Sequence, residues 1–542
     1  MKLIQYKIGM ALVATILLAG CTDLDTEPLG KTITEEQKKA GADVVNAGAT
    51  ALFSQWAKTV GDDYHSDFGY PAVMLWLDSR GTDLVAANTG YNWFRNSLTY
   101  TDISYTGVGT HMIWRTFYNQ IFTANGIVAS SREALEETPD ADRVKFNLAN
   151  ALAIRAFDYF NLVQLYQFNY KGHESSPAVP LVTDENAEDV ALNGAPRATV
   201  TEVYDQILSD LLEAVELLET SSTSRADKRY VDLSVAYGLL ARVYLTMQDG
   251  AKAAEYAQAA LNNTSASPLE IDKAKKPGFN SFDCGDWMWG IKIEETDDVV
   301  QTGICNFPSH MGSFSYGYST AVGMWRRINI ALYESIAATD VRKGWFLNQE
   351  GISEGLLEVD AQNGFYDAET GTMSSGGYME YVYGAAPYTQ VKYGPYKDEV
   401  GTSTNASDFP LMRVEEMYLI LAEAQAMQGQ VAEAAETLEN FVMTYRDPDY
   451  SVTAATAEDL IDEIWRQRRI ELWGEGFSYF DILRLGKPVD RRGAGFASGT
   501  IFNIPAGDAA LIYPIPNAEI QANPMIGEED NNPAASQPQS VG

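Results

Sequence analysis

Apolar residues recur at helical spacing through much of the chain. Val44, Val45, Leu52, Phe53 and Trp56 mark an amphipathic helix within residues 34–60. Trp114, Phe117, Tyr118, Ile121 and Phe122 open a second, which begins near His111 and ends before Pro139. Further helices are predicted over Ala141–Tyr166 and Thr199–Leu218, the latter with Thr199 or Thr201 as its cap. Leu233, Ala236, Tyr237, Leu240, Tyr244 and Met247 define the clearest single face. Gly250 interrupts it, and Ala253, Ala254, Ala257, Ala260 and Leu261 form a partner helix. Small residues at these positions let two helices approach closely, the spacing of a tetratricopeptide unit. Tyr418, Leu421, Ala422 and Ala434 repeat it between helices expected at Pro410–Gln428 and Val431–Tyr445. A last long helix covers Ala457–Leu472. Such pairs stack, each burying what its neighbour leaves open.

Two stretches lack this period. Gly61–Thr110 is rich in Gly, Asp, Asn, Thr, Tyr and Trp and reads as long structured loops. From Asn263 to about Asp408, Gly, Asp, Ser, Trp and Tyr crowd together around short strand-like pieces such as Trp289–Ile293. The chain is therefore divided into 1–20, 21–34, 35–262, 263–408 and 409–542: a signal peptide, a tether, a helical region with inserted loops, an irregular loop-rich lobe, and a second helical region with a Pro-rich tail.

The first residues assign the compartment. Lys2 and Lys7 precede an apolar run, Ile8–Leu18, that is too short for an ordinary membrane span, and Leu18-Ala-Gly-Cys21 follows. Small residues directly before a cysteine match the bacterial lipoprotein processing box, so Cys21 is expected to be acylated and to hold the chain to membrane lipid. Asp23, Asp25 and Glu27 make the tether acidic. The 542-residue chain carries a formal charge of −35, and −37 once Lys2 and Lys7 are removed, a field that repels nucleic acid. Cys284 and Cys305 are compatible with one disulfide or with two buried thiols. His65, His111, His173 and His310 form no ligand-spaced pair, and no phosphate loop or EF-type loop is present. No cofactor or metal site is expected; the many carboxylates would accommodate a structural calcium, but no motif supports one. The acidic residues include no pair in a recognisable catalytic setting, so an enzyme is not expected.

One residue conflicts with its surroundings. Arg468 shares the inner stripe of the last helix with Ile461, Ile464, Trp465 and Leu472. A guanidinium there needs acceptors; Glu471 and Glu475 are within local reach, and Glu415, Glu416 and Glu423 lie on the preceding helix. A structural ion-pair network is the expectation.

In order, these segments resemble the SusD/RagB family of nutrient-binding lipoproteins. The resemblance rests on the lipobox with its acidic tether, Trp114-Arg-Thr-Phe-Tyr-Asn-Gln-Ile-Phe-Thr-Ala-Asn125, and Ile154-Arg-Ala-Phe-Asp-Tyr-Phe-Asn-Leu-Val163 with Pro180-Leu-Val-Thr183. It continues through Leu411-Met-Arg-Val-Glu-Glu-Met-Tyr-Leu-Ile-Leu-Ala-Glu-Ala-Gln425, the Ile464–Gly486 segment and Pro514-Ile-Pro516. Gln467 and Ser478 depart from it, standing where Glu and Arg are usual. The resemblance implies a mostly α SusD-like fold, with tetratricopeptide-like helix pairs supporting an irregular, loop-rich ligand-binding lobe. It further implies an outer-membrane lipoprotein facing the cell exterior in a Bacteroidota-type bacterium. Such a protein captures oligo- or polysaccharide, or alternatively peptide, and passes it to a SusC-like TonB-dependent barrel.

Glycan recognition needs flat rings against sugar C–H faces and polar groups for hydroxyls. Arg80, Asp83, Tyr91, Asn92, Trp93 and Asn96 supply both in one stretch, with Trp93 and Asn96 resembling the aromatic–Asn platform of starch-binding relatives. Trp287, Trp289, Tyr316, Tyr318, Trp325, Tyr378, Tyr381, Tyr383 and Tyr388 are further candidates, core packing being the competing role for each.

Overall fold

Paired helices carry the fold of this computed structural model, which describes residues 48, 50–58, 65–86 and 92–542. Cys21, the signal peptide, the acidic tether and Tyr91 lie outside the described residues, as does most of the helix expected at 34–60. The described residues belong to one compact unit, Val45–Gly542. None of their helices is long and apolar enough to cross a membrane.

Helices Val108–Glu137 and Asp142–Tyr166 pack on each other, and the second also packs on Val200–Thr220. Leu233–Thr246 pairs with Gly250–Asn263, which lies on Val414–Met427; that helix packs in turn on Val431–Tyr445 and Ala457–Glu471. The alanine stripe works as its spacing suggests: Ala253, Ala257 and Ala260 are fully buried. Local signals set the ends. Thr199 forms a capping box, its Oγ1 accepting from the Glu202 amide at 3.2 Å while Glu202 Oε2 accepts from the Thr199 amide at 2.7 Å. Asp232, Asp249 and Thr456 cap the helices that follow them.

Two expectations need correction. The supposed loop Gly61–Thr110 contains an eleven-residue helix, Tyr70–Arg80, buried at every position. Pro410 does not begin a helix: Phe409–Arg413 is a strand paired antiparallel with Trp287–Ile291, and the helix starts at Val414. Both sides of this two-stranded sheet are buried, so its strands show no alternation of apolar and polar residues. Cys284 and Cys305 are free, half-buried thiols.

Candidate ligand-binding site

A second short sheet builds the site. Leu84–Ala86 pairs antiparallel with Arg326–Ile328, with Ala86 opposite Arg326. This pairing brings the segment that continues to Trp93 and Asn96 together with the one that carries Tyr318 and Trp325. Asn92 Oδ1 accepts from the Phe94 amide at 3.0 Å, fixing the turn before the short helix Arg95–Leu98. Trp93 thereby sits half-buried, 4.4 Å between ring centroids from Tyr318, 5.0 Å from His310 and edge-on to His65 at 3.8 Å. Asn96 is exposed, and its Oδ1 accepts from Thr101 Oγ1 at 3.2 Å. Trp325 is half-buried, immediately before the strand Arg326–Ile328.

Tyr318 is held from the opposite side. Its amide donates to Ser309 Oγ at 2.7 Å, and Gly317 before it lies so close that a Cβ would stand 2.6 Å from Ser309 Cα. Beneath the aromatic pair, His310 is fully buried, with its ring stacked on Phe68 at 5.5 Å. Burial, and then the Arg326 charge, hold the His310 imidazole well below its usual range, so the ring is neutral.

The remaining sequence candidates divide by burial. Arg80 is not available to ligand: its guanidinium binds Asp102 at 2.6 Å, Tyr479 Oη at 3.0 Å and the Ala510 carbonyl, between the rings of Tyr100 and Tyr513. Asp83 is buried and accepts from Arg469 Nη2 at 2.5 Å and Ser478 Oγ at 2.6 Å. Trp287 and Trp289 are both 0% exposed. Trp289 donates to the Arg229 carbonyl and packs edge-on against Trp56 and Phe157. These four residues anchor the scaffold and present no face to solvent. Tyr381 is half-buried beside Gly401, in a different neighbourhood from Trp93 that also exposes Tyr383.

Arg468 is buried and ion-paired as expected, but its partner is Asp481, at 2.8 Å, rather than Glu471 or Glu475. Those two carboxylates belong to another network: Glu471 meets Arg342, Arg413 and Arg446, and Glu475 meets Arg413 and Lys392. Glu423 pairs with Arg484, and Glu416 with Arg242. The two departures from the family pattern are accommodated. Gln467 Oε1 accepts from Arg342 at 2.6 Å, and Ser478 donates to Asp83.

Sequence reasoning did not find His65, His310 or Arg326 at the site. Their proximity depends on the short sheet between residues more than 200 apart, which no local spacing reveals. A cavity of about 50 Å³ within the helices, lined by Tyr70, Phe157, Phe160, Arg242, Phe477 and Arg484 among others, has room for a water or two but not for a pyranose ring. Among the described residues no cluster of three or more His, Cys, Asp or Glu could hold a metal.

Residues 74–245 match a family model described as starch-binding associating with outer membrane, and residues 339–533 match the model of the SusD family. SusD-like protein P2 of Formosa agariphila is 26% identical over 561 residues, spanning 98% of this chain and 99% of its own. Among solved structures, a SusD-like carbohydrate binding protein from Bacteroides vulgatus aligns with a TM-score of 0.71 at 24% identity, over 90% of this chain and 98% of that one. A laminarin binding SusD-like protein aligns with a TM-score of 0.61 at 21% identity, over 91% of this chain and 99% of that one.

Proposed function

Because the chain belongs to the SusD family, we propose that it is a surface lipoprotein that binds oligo- or polysaccharide through the Trp93 site and delivers it to a SusC-like barrel. The observation that carries this reading is the half-exposed Trp93 ring braced against Tyr318 at 4.4 Å, with the exposed Asn96 beside it. A rigid ring offers its face to sugar C–H groups at little entropic cost, and an amide both donates to and accepts from hydroxyls. Two of the similar solved structures, a carbohydrate binding protein and a laminarin binding protein, support the same ligand class. Capture and release suffice for this role, and no bond needs to be made or broken.

Calorimetry on the chain lacking residues 1–21 tests the site. Trp93→Ala is expected to weaken binding of a glycan identified by array screening at least tenfold, about 1.4 kcal/mol. Asn96→Ala should cost less. Unchanged affinity in both variants would move the ligand elsewhere, and binding of peptides but no glycans would replace the ligand class. Acylation at Cys21 and the barrel partner are tested separately. Cys21→Ser should abolish incorporation of labelled fatty acid, and the native lipoprotein should co-purify with a barrel from solubilised outer membranes.

A further inference from the structure

Arg326 stands apart from the other buried arginines. The chain has 74 acidic and 39 basic residues, and a buried guanidinium usually finds a carboxylate in it. Arg80 is paired with Asp102, Arg342 with Asp340, Arg413 with Glu471 and Arg446 with Glu415. Arg491 lacks a carboxylate but donates to the carbonyls of Ser79, Arg80, Gly81, Leu98 and Thr500. Arg326 is 0% exposed; its Nε donates to the His310 carbonyl at 3.1 Å, and its guanidinium lies 5.6 Å from the centre of the Phe94 ring. Among the described residues Nη1 and Nη2 have no hydrogen-bond partner, and no carboxylate forms an ion pair with the group. Asp67, next to Phe68, faces Arg115 at 3.5 Å. Burial pushes the Arg326 guanidinium down to about 10, which leaves it charged at neutral pH.

Other polar atoms at this place are open as well. Among the described residues Ser319 Oγ and Asn92 Nδ2 are buried without hydrogen-bond partners, and the neutral His310 ring packs against Trp93 and Tyr318. These side chains come from the elements that hold Trp93 and Tyr318: the turn before Arg95–Leu98, the helices Phe307–Met311 and Tyr318–Val322, and the strand Arg326–Ile328. A buried, unpaired charge costs several kcal/mol, and native structures retain such groups where an ion or ligand compensates them.

We propose that the glycan bound at Trp93 carries an anionic oxygen substituent, a carboxylate or a sulfate ester, which pairs with Nη1 and Nη2 of Arg326. The inference rests on the glycan-binding reading above and narrows its substrate class. Arg326 is linked to the aromatic pair through His310, whose carbonyl accepts from its Nε and whose ring packs against Trp93 at 5.0 Å and Tyr318 at 4.8 Å. The planar guanidinium presents two parallel N–H groups to two oxygens, the geometry that favours carboxylate and sulfate over hydroxyl.

The test uses the chain lacking residues 1–21 with Arg326→Met and Arg326→Lys. Melting is followed in sodium sulfate and sodium acetate at matched ionic strength, and binding on an array of neutral, uronic-acid and sulfated glycans. Arg326→Met should melt no lower than wild type without added anion, since it removes an uncompensated charge. It should lose the part of the sulfate- or acetate-induced rise in Tm that wild type shows beyond it, and the more effective anion identifies the substituent. Array hits should be anionic, at least tenfold weaker in Arg326→Met, and partly restored in Arg326→Lys. Equal anion responses in wild type and Arg326→Met, or hits on neutral glycans with unchanged affinity in the variant, would overturn the proposal. Those outcomes leave the Trp93 reading standing if Trp93→Ala still weakens binding at least tenfold. Failure of Trp93→Ala with the anion response intact would instead remove the glycan site and keep the anion site.

Discussion

Arg446 and Glu471 face each other in a fork, Nε to Oε2 at 2.8 Å and Nη2 to Oε1 at 2.9 Å, with both side chains fully buried. Glu471 also meets Arg342 at 3.3 Å and Arg413 at 3.1 Å, so one carboxylate ties the end of the Ala457–Glu471 helix to three other segments. The surrounding cations hold it well below the usual carboxylate range against the opposing effect of burial. Glu471→Gln keeps the shape but leaves buried guanidinium groups under-compensated. It is expected to lower stability by about 3 to 5 kcal/mol in urea unfolding; a loss below 1 kcal/mol would mean that the network is dispensable.

Arg468 and Asp481 form a smaller pair, and Asp481 also holds Arg484 at 2.7 Å. Burial favours the neutral acid here, but the two guanidinium groups hold Asp481 below its usual range. Arg468→Ala removes one of two cations, so its cost should be smaller than that of Glu471→Gln, about 2 kcal/mol. Comparing the two variants under one denaturant protocol checks the ranking.

Asp78 should make stability depend on pH. It is buried, accepts from the Gly476 amide at 3.0 Å, and is raised by desolvation from 3.8 to about 8. The folded state therefore keeps a proton that the unfolded chain gives up near pH 4. This contribution is complete below that pH and is lost as pH rises towards 8, at about 1.4 kcal/mol per unit for one proton. Asp78→Asn retains an acceptor for Gly476 and should flatten the profile between pH 5 and 8, with higher stability than wild type at pH 8. Parallel profiles in the two proteins would place the proton elsewhere.

Gly317→Ala probes the brace behind Tyr318. Its backbone is extended, so the added methyl causes no dihedral strain, but it meets Ser309 Cα at 2.6 Å. The segment must shift, and stability should fall by about 1 to 3 kcal/mol. Because Tyr318 moves with it, affinity for the array-identified glycan should fall as well, by calorimetry. A variant that loses stability but keeps full affinity would show that Tyr318 placement is not required.

Much of the scaffold was determined by the sequence alone. Where a helix has one wet and one dry face, the period is visible, and Val431–Tyr445 begins and ends where the pattern does. The Thr199 cap and the alanine stripe of Gly250–Asn263 are likewise local, because their partners lie within a turn or two of the same helix. Tyr70–Arg80 was illegible because every face is buried and no polarity contrast marks it. Phe409–Arg413 becomes a strand only because Trp287–Ile291, over a hundred residues earlier, supplies its hydrogen bonds.

The site was decided almost wholly by tertiary structure. Trp93 and Trp287 are the same residue in similarly loop-like surroundings, yet one is half-exposed and the other has no solvent contact. Packing gave Arg468 a carboxylate, Asp481, that its local sequence did not single out, and left Arg326 without one among the described residues. Burial and charge pairing are properties of what surrounds a side chain, and at this site the surroundings come from segments distant in sequence.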